Sequence, residues 1–205
     1  MGMSLNLMKK MKTKIGKDYE LSWNQIVFWT SRKIEMWGLM ILSYLCIAIS
    51  IVLLALTGLQ GYFQFHLIQA NHSQFALFTA IFYMFTETLV MFYFIGSGTA
   101  IKKSIKMEVG EPSLYEKVKN TKMILFPHLT MNMVYIGVVF ILGGAVQTGS
   151  VAGWIHGLLF DLAFIHFLYV TILQHRGFKE NVEIIGEIAI VEEATANNST
   201  AWCII

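Results

Sequence analysis

Charge is what this chain has least of. Asp, Glu, Lys and Arg make up 14% of its 205 residues, while 56% are hydrophobic. Soluble domains carry about a quarter charged residues. The apolar excess is more than one small core can hide, so lipid is the expected solvent. Proline and cysteine each occur twice. Cys46 in an apolar run and Cys203 near the end supply neither a disulfide framework nor a metal-ligand spacing. The net charge of +2 is too small to attract nucleic acid. The basic start, MGMSLNLMKKMKTKIGK, leads into DYELSWNQ and not into an apolar stretch with a cleavage site, which excludes a secretory signal peptide. The terminal WCII has its cysteine one position too late for prenylation.

What the chain does have is four long apolar stretches, at about 36–59, 75–100, 123–146 and 151–175. Each reaches the roughly 20 residues that a membrane-spanning helix needs. Within hydrocarbon the backbone must satisfy its own hydrogen bonds, so helices are expected and open strands are not. The lysines and arginines fall on one side only. Seven precede the first stretch, six lie between the second and third, and two follow the fourth. The positive-inside rule then puts both termini and the middle loop in the cytoplasm. The expected fold is all-α: an antiparallel up-down four-helix bundle in the cytoplasmic membrane of a bacterium or archaeon, N-in and C-in.

Residues 1–35 form a basic N-terminus. Trp23, Ile26, Phe28 and Trp29 mixed with Arg32 and Lys33 suit an interfacial helix. Pro112 and Ser113 are placed to start a short helix in the middle loop. Residues 176–205 are an acidic amphipathic tail with a short cytoplasmic helix over NVEIIGEIAIVEEA. No internal repeat and no second domain are legible.

The stretch FYMFTETLVMFYF holds Glu87 among aromatic residues. A carboxylate facing acyl chains costs several kcal/mol, roughly 3 on insertion scales, so an inward position is expected. Three-and-four spacing extends that position into a stripe on every helix: Ser43, Cys46, Ser50 and Thr57; Ala80, Tyr83, Glu87, Val90 and Phe94; His128, Asn132, Tyr135, Val139 and Leu142; His156, Leu159, Ala163, His166, Val170 and Leu173. This is the seam of a left-handed bundle. Asp161 lies five residues from both His156 and His166, about 140° around the helix from each, and belongs on a flank between helices. His156 stands alone in its layer unless His66 or His72 folds over it.

Three kinds of function follow from such a seam. One haem b needs two facing imidazoles. A turn centred on Thr148 and Gly149 sets His128 opposite Tyr169, with His166 offset by about 4.5 Å. His128 and His166 are the preferred ligands, with Tyr135 and Asn132 beside them. A metal ion would draw on Glu87, Asp161, His128 and His166, although no Glu-x-x-His pair is present. A quinone would use His128, Asn132 and Tyr135.

Without a cofactor, Glu87, Asp161 and Tyr83 offer a proton or ion relay. The third possibility is a scaffold subunit of a membrane complex. For each polar residue the plain alternative is a structural hydrogen bond that fixes helix register. The favoured expectation is a multi-pass subunit of an electron-transfer or energy-coupling complex. It would have no enzymatic activity of its own. Its partners would be the lipid bilayer and other membrane subunits or further copies of itself.

Overall fold

The structure is a computed structural model that describes residues 35–65, 70–106 and 111–201, with side chains to Val191. Four helices make it up: α1 (Glu35–Phe63), α2 (His72–Lys106), α3 (Pro112–Gln147) and α4 (Gly153–Ala201). All four are long and apolar enough to cross a membrane. The interfacial helix expected before residue 35 lies outside the described residues.

The observed helices outrun the expected stretches because local capping, and not hydropathy, ends them. At the start of α2, Asn71 Oδ1 accepts from the Gln74 N–H (3.0 Å) and Gln74 Oε1 accepts from the Asn71 N–H (3.2 Å). This reciprocal pair satisfies two donors that a helix start leaves orphaned. It brings His72 into the helix. Pro112, with its missing N–H, opens α3 itself, so the short helix expected at Pro112 and Ser113 is the first part of the third span. Gly149 turns the chain at φ +73°, and the N–H groups of Thr148, Gly149 and Ser150 close on the last carbonyls of α3. Finally, α4 runs through the acidic segment without a break. Nothing between His175 and Glu183 stops a helix, so the expected separate C-terminal helix is a continuation.

Hydrogen bonds place α1 against both α2 and α4. Ser50 meets Thr86 and Thr57 meets Thr79, each at 2.9 Å, while the Tyr44 hydroxyl meets His175 Nδ1 at 2.8 Å. On the other side α3 bonds Tyr83 of α2 and His166 of α4. That leaves α2 and α4 facing each other across the centre. Large apolar side chains such as Leu45, Ile81, Phe92, Ile141 and Ile165 point outward, forming a surface for acyl chains.

The expected stripes hold on α1 and α2, where Ser43, Cys46, Ser50, Tyr83, Glu87, Val90 and Phe94 are buried. On α3 the buried face is Leu125, Leu129, Asn132, Ile136 and Val139. It shares Asn132 and Val139 with the expected stripe but turns His128 and Tyr135 toward the flank. Both sets have the same spacing; the observed one hides more aliphatic surface and leaves amphipathic side chains at the edge. On α4 the same shift buries Phe167 and Gln174 in place of His166 and Leu173.

The structure also corrects the expectation of no repeat. Across the centre, His72 meets His156, Tyr83 meets Phe167, Phe94 meets Phe178, and Asn181 donates to Ser97 at 2.8 Å. Every one of these pairs is 84 residues apart. Two parallel helices that meet through equivalent positions along their length are related by a twofold axis between them. The flanking helices obey the same relation. Ile47 and Leu129 share one core cluster, Leu54 and Ile136 another, and Gly61 and Gly143 each abut a histidine ring. The bundle is thus two helical hairpins, α1–α2 and α3–α4, about a pseudo-twofold axis parallel to the helices. Parallel repeats of this kind are a recurrent membrane architecture.

Packing near the axis is tight. A Cβ on Gly177 would lie 2.9 Å from the Phe94 ring and 3.2 Å from Thr121 Cγ2, whereas one on Gly96 meets nothing within 4 Å. Gly177→Ala should therefore lower stability by about 1–3 kcal/mol through overpacking. Gly96→Ala should be neutral, or stabilising by up to about 1 kcal/mol through helix propensity. Thermal unfolding of the two variants in detergent checks the contrast.

Candidate functional site

Polar groups collect in two places, one mid-bundle and one near the turns that join α1 to α2 and α3 to α4. The mid-bundle group starts from Glu87, whose relative exposure is 0%. The amide Nε2 of Gln174, on α4, donates to Glu87 Oε2 at 2.7 Å. Tyr83, one turn earlier on α2, is also fully buried, close enough for its hydroxyl to sense the carboxyl. Asn132 of α3 donates through Nδ2 to the Tyr83 hydroxyl at 2.6 Å, and its Oδ1 lies 2.7 Å from His166 Nδ1.

That last contact fixes a tautomer. An amide oxygen only accepts, so Nδ1 of His166 carries the hydrogen. Nε2 of His166 is then the bare nitrogen, buried and without a hydrogen-bond partner. Around it stand His128 and Tyr135, each with ring centroids 5.7 Å from His166, and Tyr169 at 6.3 Å. His128 and Tyr169 pack edge to face at 5.5 Å, the opposition that the turn at Thr148 and Gly149 implied. Tyr135 and Tyr169 are 43% and 48% exposed, on the outward face of α3 and α4. The cluster therefore borders lipid through its tyrosine rings, while its other end is tied through Asn132 to the core.

The second group lines a cavity of about 1290 Å³ near the turns, reached by all four helices. Asp161 is here, on the flank between α1 and α4, where it accepts from the Tyr62 hydroxyl at 2.6 Å. His72 closes over His156, with ring centroids 6.3 Å apart. His156 is thus not alone in its layer. His66 lies outside the described residues.

Of the residues singled out from sequence, Tyr83, Asn132, His166, His128 and Tyr135 come together. Glu87 joins them through Tyr83, while Asp161 is at the cavity with Tyr62. Among the described residues no three His, Cys, Asp or Glu side chains converge on one point. Glu87 bonds Gln174, and Asn132 bonds both Tyr83 and His166. Gln174 escaped notice because the expected α4 stripe ran through Leu173. Continuing three-and-four spacing from Ala163 through Val170 to the next polar residue would have found it. No known protein family, no curated protein and no solved structure matches this chain.

If the Glu87–Gln174 bond holds α2 to α4, a double-mutant cycle with Glu87→Leu and Gln174→Leu should give a favourable coupling of about 0.6–1.7 kcal/mol, the span found for hydrogen bonds inside membranes. Glu87→Gln, which keeps a polar partner, should cost less than Glu87→Leu. Chemical or thermal unfolding in detergent measures both.

Proposed function

We propose that the chain is a membrane subunit of an electron-transfer or energy-coupling complex, and that the flank between α3 and α4 receives the ring of a lipid-soluble quinol. One observation carries this reading: the unpartnered Nε2 of His166, buried beneath the half-exposed rings of Tyr135 and Tyr169. A quinol hydroxyl reaching that nitrogen from the bilayer meets an acceptor whose tautomer Asn132 has already set. Aromatic walls on three sides, His128, Tyr135 and Tyr169, suit a flat ring. Buried polar atoms without partners are rare in folded proteins, and such an atom one ring away from the lipid-facing surface is a natural ligand contact.

A second reading draws on Glu87. A fully buried carboxyl inside apolar helices is expensive unless it works or is protonated. Oε1 has no hydrogen-bond partner, and Tyr83 stands between it and Asn132. Glu87 and Tyr83 would then hold a proton for the quinol site. The Asn132 amide does not pass protons readily, so its part is to orient both neighbours. In this reading the lysine-bearing ends of the helices face the cytoplasm, following the positive-inside rule.

Titration of the detergent-purified chain with decylubiquinol, followed by calorimetry, tests the site. Loss of the hydrogen bond in His166→Ala should weaken binding by roughly 5–100-fold. Asn132→Leu, which frees the tautomer without touching the ligand, should weaken it as well. Decylubiquinol binding that is absent, or indifferent to both changes in a folded protein, removes the proposal and leaves the scaffold role. Haem lost on removing His128 or His166 would put a haem there instead.

A further inference from the structure

We propose that the cavity near the turns is the site of one b-type haem, with His72 and His156 as its two axial ligands. This goes beyond the quinol reading and rests on different residues.

The spacing of the two rings is the first support. Imidazole nitrogen binds first-row metals at about 2.0–2.1 Å, and the ring centre lies about 1.2 Å further on, so two imidazoles on one metal place their centroids about 6.4 Å apart. The observed separation is 6.3 Å. Each ring also retains a buried Nδ1 without a hydrogen-bond partner.

Two protein ligands are what a haem needs, since the macrocycle supplies the other four nitrogens. A bare divalent ion would need more donors than the two imidazoles, and among the described residues no third His, Cys, Asp or Glu joins them.

Symmetry is the second support. His72 and His156 occupy equivalent positions in the two hairpins, and each ring is seated in the same way. A Cβ on Gly61 would lie 3.1 Å from Cε1 of His72, and one on Gly143 would lie 3.3 Å from Cε1 of His156. Glycine at both places lets each imidazole approach the neighbouring helix. A metal held between these rings sits on the pseudo-twofold axis.

Space and polarity agree with this placement. The cavity volume of about 1290 Å³ exceeds the roughly 300–1,000 Å³ usual for small-molecule sites. Its apolar lining includes Leu54, Val139, Phe140 and Phe160, while Asn71, Gln74 and Gln147 are among its polar groups and Asp161 is engaged by Tyr62. Apolar walls with a few polar groups match a tetrapyrrole and its carboxylates. The inner histidines lack the symmetry, since the positions equivalent to His128 and His166 are Cys46 and Phe82.

The test is to purify the full chain from cells given haem precursor, titrate it with hemin in detergent, and record absorption spectra with a haem assay. Expected are a Soret band and about one haem per chain. His72→Ala and His156→Ala should each weaken hemin binding by more than the roughly 10–100-fold that even outer-shell partners cost. Gly143→Leu should reduce loading with both ligands present. His128→Ala and His166→Ala should keep the haem, which separates this site from the quinol site. The proposal falls if the chain, helical by circular dichroism and monodisperse, takes up no hemin. It falls equally if the His72 and His156 double variant binds hemin as tightly as the parent, or if the haem is lost with His128 or His166 instead.

Discussion

Side chains of α2 and α4 that reach each other across the centre set the register of the two hairpins, while each of these helices packs more extensively on α3. These side chains recur every eleven residues, at His72, Tyr83 and Phe94 on one helix and at His156, Phe167 and Phe178 on the other. Eleven residues make three turns, so the same face returns each time. With lipid outside, burial of apolar surface does not drive helices together, and packing with internal hydrogen bonds must do so. Close-packed rings at equivalent places supply the first, and Glu87 with Gln174 and Asn181 with Ser97 supply the second.

Once α2 and α4 are joined at the centre, α1 and α3 have only the two grooves on either side to fill. They do so with different chemistry. On the α1 side the bonds are short hydroxyl pairs, Ser50 with Thr86 and Thr57 with Thr79. On the α3 side the equivalent of Ser50 is Asn132, a longer side chain with both donor and acceptor. It spans from Tyr83 to His166 and links three helices. The longer amide at this position, with His166 where the other hairpin has Phe82, turns a packing contact into an organised polar site.

Much of this was legible in the residues. Four helices and the burial of Glu87 followed from hydropathy and spacing, because a lone carboxyl in an apolar stretch has only one tolerable direction. The grouping of Asn132, His128 and His166 followed from the short turn after Gln147. The rotation of α3 and α4 did not. Two stripes of equal spacing run down each helix, and only the volume each buries decides between them. His72 was legible only as one of two histidines able to fold over His156, because it lies before the apolar stretch and is drawn into α2 by the side chains of Asn71 and Gln74. The repeat was hidden for a related reason. The hairpins keep the same sizes and faces, as with Tyr83 and Phe167, but few identical residues, and α1 and α2 are spaced two residues closer than α3 and α4.

The contrast between the two polar groups has a physical logic. A site on a pseudo-twofold axis receives equal groups from both hairpins and is walled by all four helices, which suits a ligand that stays. A site off the axis is built by departures from the repeat. Here His166 stands where its counterpart is Phe82, and His128 where its counterpart is Cys46. Such a site is polar on one flank only, and that flank faces lipid. It suits a ligand that arrives and leaves through the bilayer. About 15 Å of helix, the rise over the ten residues from His156 to His166, separates the two. Since α4 carries a histidine in each group, whatever binds at the axis is tied to whatever docks at the flank through a single uninterrupted helix.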